Sequence, residues 1–186
     1  MQNAIDSNVD GLALTMPTPE ALGPVAKRAA KADIPVVGLN SGMEHYKKYD
    51  VSAFFGQDES VAGERAGERL SKDGAKKVLC VIHEQGNPSQ ESRCAGIKKG
   101  LGGGFVENLY VNGMDLTSVQ STVQAKLAQQ KDIDWVMGLV APVALTAVQA
   151  KEQAGSKAKI STFDTNAELV AAIKNLSLIH ISEPTR

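Results

Sequence analysis

The sequence predicts an α/β protein built on parallel, doubly wound sheet. Three observations predict it. Short apolar runs recur along the chain, mostly unbroken by polar residues, as in strands covered on both faces. Stretches with helical patterning separate them, and alternating strands and helices wind a parallel sheet that takes ligands at the carboxyl ends of its strands. Cap and turn residues stand where those helices should begin and end.

The strand candidates, in order, are Gly11–Thr15, Pro35–Leu39, Ala53–Gly56, Lys77–Ile82, Phe105–Val111, Asp134–Gly138 and Lys159–Phe163. The helical stretches between and after them are Pro19–Ala32, Ser60–Lys72, Gln90–Gly100, Thr117–Gln130, Pro142–Ala154 and Ala167–Lys174. Thr18-Pro19-Glu20 places a cap, a first-turn proline and an acid in sequence, and Asp58 and Asp115 stand where they could cap the helices after them. The polar stretch Ser71–Lys76 fits either an ordinary connection or a crossing between domains.

Composition narrows the function. The chain is 42% hydrophobic and 22% charged, ordinary for a globular protein, and has no apolar run of membrane-crossing length. A net charge of -1, with Lys and Arg dispersed among acids, argues against a nucleic-acid footprint, which needs a clustered basic face. Aromatic residues make up only 4%, too few for a base-stacking surface. The polar start Met1-Gln-Asn-Ala-Ile-Asp6 is not a signal peptide. For Cys80, in a strand pattern, and Cys94, in the following helix, two buried thiols are the expectation and a disulfide the alternative.

Motifs for catalysis or cofactors are not found. Gly100-Leu-Gly-Gly-Gly104 looks like a dinucleotide loop, but it follows a helix and precedes a strand, the reverse of what a phosphate cradle needs; a glycine helix stop fits better. His45 and His83 have no Cys or carboxylate at ligand spacing, and no Ser sits in a Gly-x-Ser-x-Gly elbow. We therefore expect no enzyme, no metal and no cofactor.

Polar residues do gather just past the strand ends: Thr15, Asn40 and Ser41, His83 and Glu84, and Asp164, with Arg93 in the helix after the fourth strand. Singly, Thr15, Asn40 and Asp164 read as turn or cap residues and Arg93 as a solvated helix arginine. Together they line one edge, where a guanidinium can donate to neighbouring hydroxyls of a polyol and a carboxylate can accept from another pair.

The order of segments then becomes specific. Val9-Asp-Gly-Leu-Ala-Leu-Thr15, Ile34-Pro-Val-Val-Gly-Leu-Asn-Ser-Gly42, Gly56-Gln-Asp-Glu-Ser-Val-Ala-Gly63 with Gly67, Arg93-Cys-Ala-Gly96 and Phe163-Asp-Thr-Asn166 follow one another. In that order they resemble the periplasmic sugar-binding proteins of ABC transporters, in the ribose/galactose-binding class, over Met1–Asn175. The resemblance implies two doubly wound parallel-sheet lobes of the type I periplasmic binding protein fold, incomplete here. On it, 1–72 is part of the first lobe and 74–175 most of the second, with Met1–Asn8 ending a helix of the first.

It implies a monosaccharide or related polyol as ligand, closure of the lobes on that sugar, a membrane permease as partner, no nucleic acid, and a monomer when complete, outside the cytoplasm. Arg93 and Asp164 match the family's sugar-gripping arginine and aspartate, Thr15 sits where the family often has a polar residue after the strand, and Asn40 and Ser41 occupy the position where ribose binders carry Asp-Arg. Two depart: Met114 replaces a common stacking aromatic, and Val140 a common Asn. LacI-type repressors share the fold, so an effector-binding domain is the alternative reading.

The end Leu176–Arg186, LSLIHISEPTR, does not continue the pattern. It resembles the translated transposase end and adapter of a sequencing library. We expect 176–186 to be an artefact of that origin, and a native strand to belong after Asn175.

Overall fold

The structure is a computed structural model that describes residues 1–175 and 178–180. Its residues fall into two compact units, Met1–Glu59 with Gly86–Glu91, and Ser60–Gln85 with the chain from Ser92 onward.

The first unit carries α1 (Gln2–Asp6), β1 (Leu12–Leu14), α2 (Pro19–Lys31), β2 (Val36–Leu39), a 3-10 turn (Tyr46–Tyr49) and β3 (Ala53–Phe55). Its three strands pair in parallel in the order β1-β2-β3, with Leu12 beside Val36 and Val37 beside Ala53. Pro19, Gly23, Ala26 and Ala29 recur every three or four residues of α2 and turn inward, as an amphipathic helix requires. Ala26 and Ala29 close a core with Leu14, Met16, Ile34, Val36, Tyr49 and Val51. A methyl at Gly23 would collide with the Tyr49 ring, so the glycine lets that ring lie on the helix. Pro19 opens α2 as expected, but the Thr18 side chain makes no capping hydrogen bond.

The second unit carries α3 (Glu59–Lys72, grouped here from Ser60), β4 (Lys77–Ile82), α4 (Pro88–Gly100, from Ser92), β5 (Phe105–Tyr110), α5 (Leu116–Gln129), β6 (Trp135–Gly138), α6 (Ala141–Gln153), β7 (Lys159–Thr162), α7 (Ala167–Lys174) and β8 (Ile179–His180). All five strands are parallel, in the order β5-β4-β6-β7-β8. Neighbouring residues of each strand face opposite sides, and the packing follows. Val78, Cys80, Ile82, Trp135 and Met137 meet Ala66 and Leu70 of α3 and Cys94 and Ile97 of α4. Leu79, Val81, Val136 and Ile160 meet α5, α6 and Leu169 of α7. The sheet is therefore doubly wound, and each fully buried aliphatic side chain contributes about 1.5–3 kcal/mol.

The expected lobe boundary at residue 72 leaves α3 with the first lobe, whereas the compact units divide after Glu59. The reason is packing: α3 and α4 approach so closely at Gly63, Gly67, Gly96 and Gly100 that a Cβ at any of them would strike backbone of the other helix. Cys80 and Cys94, expected as thiols, form a disulfide with Cα atoms 6.0 Å apart. Strand β4 and helix α4 pack face to face there, which puts the two sulfurs together. Finally, of the tail set aside as an artefact, Leu178 is buried and Ile179–His180 pair with Ser161–Thr162. An open parallel edge accepts an apolar segment of any origin. Leu176, Ser177 and 181–186 lie outside the described residues.

Candidate functional site

In the first unit the candidates sit just past the carboxyl ends of β1 and β2. Thr15 follows β1 and is exposed. Asn40 follows β2 with φ of 58°, a left-handed turn that Asn tolerates better than most residues, and it too is exposed. The Met16 amide donates to the Ser41 carbonyl at 3.0 Å, which joins the two loops. Ser41 is only 3% exposed. Its hydroxyl donates to Asn87 Oδ1 at 3.1 Å and shares a 2.9 Å hydrogen bond with Ser89 Oγ. The Ser89 amide donates to the same Asn87 oxygen at 3.0 Å. Ser41 is thus brought to the edge but holds the Gly86–Glu91 segment with its hydroxyl. Sequence reasoning missed this polar trio, because Asn87-Pro88-Ser89 reads locally as nothing more than a helix start.

In the second unit the strand order sets out the edge: Met114 after β5, His83 after β4, Val140 after β6 and Asp164 after β7. Arg93, on α4, is half-buried and lays its guanidinium over the Phe163 ring, 4.6 Å from the ring centre. Phe163 precedes Asp164 in the chain, so donor and acceptor candidates share one neighbourhood. The exposed Asp164 carboxylate accepts from the Ala141 amide through Oδ2 at 3.1 Å and from the Thr165 amide through Oδ1 at 3.0 Å. Ala141 is the first residue of α6, and Val140 at its cap position has no side-chain hydrogen bond to offer. Asp164 supplies that acceptor from another loop. It does not cap α7, whose cap is Asn166, accepting from the Leu169 amide at 2.7 Å.

Met114 stands apart from that pair. It is 95% exposed at the lip of a concavity of about 740 Å³ lined also by His83, Glu84, Tyr110, Asn112 and Ser118. Arg93, Val140 and Asp164 are not among its lining residues. Burial lowers the affinity of the His83 imidazole for a proton; the Glu84 carboxylate opposes this and the Arg93 charge reinforces it. Asn112 was not expected; its side chain accepts from the Met114 amide at 3.1 Å and turns the chain at the lip. The signal was available in Asn112-Gly113 directly after a strand. Among the described residues no three His, Cys, Asp or Glu side chains converge as a metal site would require.

Comparison with known proteins bears on what this edge serves. A family model described as a periplasmic binding protein domain matches residues 1–178. No curated protein matches the chain. A carbohydrate transporter from Acidothermus cellulolyticus 11B, solved in complex with myo-inositol, is 47% identical; the match has a TM-score of 0.91 and covers 95% of this chain and 62% of that one. An ABC transporter solute-binding protein from Agrobacterium vitis with bound D-fucose is 26% identical, with a TM-score of 0.78, covering 95% and 63% of the two chains. At 24% identity, an ABC sugar transporter protein (periplasmic sugar binding protein) from Legionella pneumophila shares the fold with a TM-score of 0.87, covering 98% and 70%. The chain thus spans 62–70% of the length of these three proteins.

Proposed function

The chain belongs to the periplasmic binding protein domain family, and from that premise we propose that the complete protein is the substrate-binding component of an ABC-type importer for a sugar or polyol. The observation that carries the proposal is the 47% identity, over 95% of this chain, to a carbohydrate transporter holding myo-inositol. A cyclitol or monosaccharide presents adjacent hydroxyls, each both donor and acceptor. Arg93 can donate to two of them at once, and Asp164 can accept from another pair. On the first unit Thr15 and Asn40 are the candidate neutral polar groups; on the second, Val140 is the candidate apolar surface near Asp164, and Met114 is a candidate at its own concavity. Ser41 serves by holding the Gly86–Glu91 segment.

In this reading the protein works outside the cytoplasm, as a monomer and without catalysis or nucleic acid, and hands its ligand to a membrane permease. The core disulfide fits an oxidising compartment. The similar proteins named above are transport proteins, which favours transport over the repressor alternative.

The test is a thermal-shift screen of the protein expressed from the complete gene, followed by calorimetry. Myo-inositol, other cyclitols, pentoses and hexoses are the probes. We expect at least one to raise the melting temperature with a saturable isotherm of one site. No shift with any member of the panel overturns the proposal.

A further inference from the structure

We propose that the Cys80–Cys94 disulfide is a positioning element for the ligand edge: it fixes Arg93 where the guanidinium meets Phe163. Cys94 directly follows Arg93 in α4, and Cys80 lies mid-strand in β4, which is hydrogen-bonded on both sides, to β5 and β6. Both cysteines are essentially fully buried, at 0% and 1% exposed.

The rest of α4 explains why a covalent tie matters there. Within the second unit, the helix grips the sheet through Cys94 and Ile97, with Leu101 just beyond its end. Ile97 and Leu101 hold the distal half. At the end bearing Arg93, Cys94 is the single apolar side chain in the cluster. Gly96 and Gly100 add close contact with α3 but no side chain to interlock, and glycine within a helix lowers its intrinsic stability. In that turn the disulfide adds a covalent link from α4 to the sheet beside the backbone contact with α3 and the polar contacts of the turn. A guanidinium stacked on a ring tolerates little displacement. Its hold on Phe163 is side chain to side chain, from one helix to the loop after β7. The disulfide therefore supplies the fixed point from which Arg93 reaches that loop.

Two readouts test this on the protein expressed from the complete gene, one independent of any ligand. The first is the ring-current shift of the Arg93 Nε–H resonance, with Phe163→Leu defining the unshifted position. In the disulfide-free Cys80→Ala/Cys94→Ala protein we expect the shift to collapse toward the Phe163→Leu value. If that variant does not fold, Cys80→Val/Cys94→Ala refills the space and serves instead. An unchanged ring-current shift overturns the proposal.

The second readout rests on the sugar-binding reading and is a double-mutant cycle on myo-inositol affinity. Removing the disulfide should weaken binding by about tenfold, as expected for losing one well-placed charge-assisted hydrogen bond. In an Arg93→Ala background it should weaken binding no further. A merely structural crosslink would lower the melting temperature but leave affinity alone, or weaken it equally in both backgrounds; either result overturns the proposal. If the unaltered protein binds no member of the panel, the sugar-binding reading fails, while the ring-current shift still decides the role of the disulfide.

Discussion

Replacing Asp164 separates two roles that the structure loads onto one carboxylate. Oδ2 accepts the Ala141 amide at the start of α6, where Val140 cannot, and the same group is the proposed acceptor for ligand hydroxyls. Asp164→Ala removes an N-terminal helix acceptor, which costs about 0.5–2 kcal/mol. It also removes a negative charge from a helix N-terminus, worth about 0.3–1 kcal/mol when exposed. The lower halves of both ranges apply to an exposed carboxylate, so the expected loss is about 1–2 kcal/mol. In a protein of this size that lowers the melting temperature by roughly 2–8 °C.

Asp164→Asn keeps an acceptor of the same shape and loses only the charge, so its stability cost should stay near the dipole figure alone. Affinity should order the variants differently. Both lose the anionic acceptor for the sugar, a charge-assisted hydrogen bond of about 1.5–3 kcal/mol, or at least about tenfold in Kd. Differential scanning calorimetry and titration calorimetry on the complete gene product give both numbers for each variant. The reasoning fails if Asp164→Ala melts with the unaltered protein, since α6 then does not depend on this acceptor. The site assignment fails if both variants bind sugar within twofold of the unaltered protein, for Asp164 is then a cap and nothing more.

Two further outcomes test the core beneath the edge. In Gly63→Ala the new methyl meets the Arg93 carbonyl and the Gly96 Cα, both backbone, so α3 and α4 must part; overpacking of about 1–3 kcal/mol should outweigh the helix gain of up to about 1 kcal/mol and lower the urea midpoint. An unchanged or raised midpoint would mean that the helices separate without cost. Ser161→Ala leaves the Trp135 indole N–H, which donates to Ser161 Oγ at 2.6 Å in a buried site, without its acceptor; we expect a loss of about 1–3 kcal/mol, measured by urea unfolding followed through Trp fluorescence, and a loss under about 0.5 kcal/mol would contradict it.

The fold was legible where one local rule acted without competition. Strand β4 begins and ends where the apolar run Lys77–Ile82 does, because both its faces are covered and nothing along it alternates. Helix α4 starts at Pro88, two residues before the expected Gln90, because proline is at home in a first helical turn. The 3-10 turn Tyr46–Tyr49 went unseen, since four residues carry no period. The boundary after residue 72 looked as reasonable as one after Glu59, because helix patterning does not say which sheet a helix covers. That choice was made by Gly63 and Gly67 against Gly96 and Gly100, a pairing of positions about thirty residues apart that only the fold reveals. The disulfide was open for the same reason. For the candidate site, the rule that ligands meet strand carboxyl ends nominated Thr15, Asn40 and Asp164, with Arg93 from the helix after β4, but direction is tertiary. Sequence could not say that Ser41 turns inward to Asn87 and Ser89, or that Asp164 serves α6 rather than α7.

The pairings that sequence reasoning could not see stand behind the proposed site. Arg93 projects from a helix whose holds include backbone contact across glycines to α3 and a covalent tie to β4. Neither of these two touches the edge. A guanidinium that must stack on Phe163 and donate to two hydroxyls works only within a narrow range of positions, because hydrogen bonds weaken steeply as their angle falls away from linearity. A helix shifted by an ångström through an added methyl at Gly63 would therefore reach the ligand as misalignment at Arg93, with every edge side chain still in place. Packing substitutions behind the sheet and polar substitutions at its edge should both weaken binding. The first would lower stability in step with affinity; among the second, Asp164→Asn would lower affinity with little change in stability.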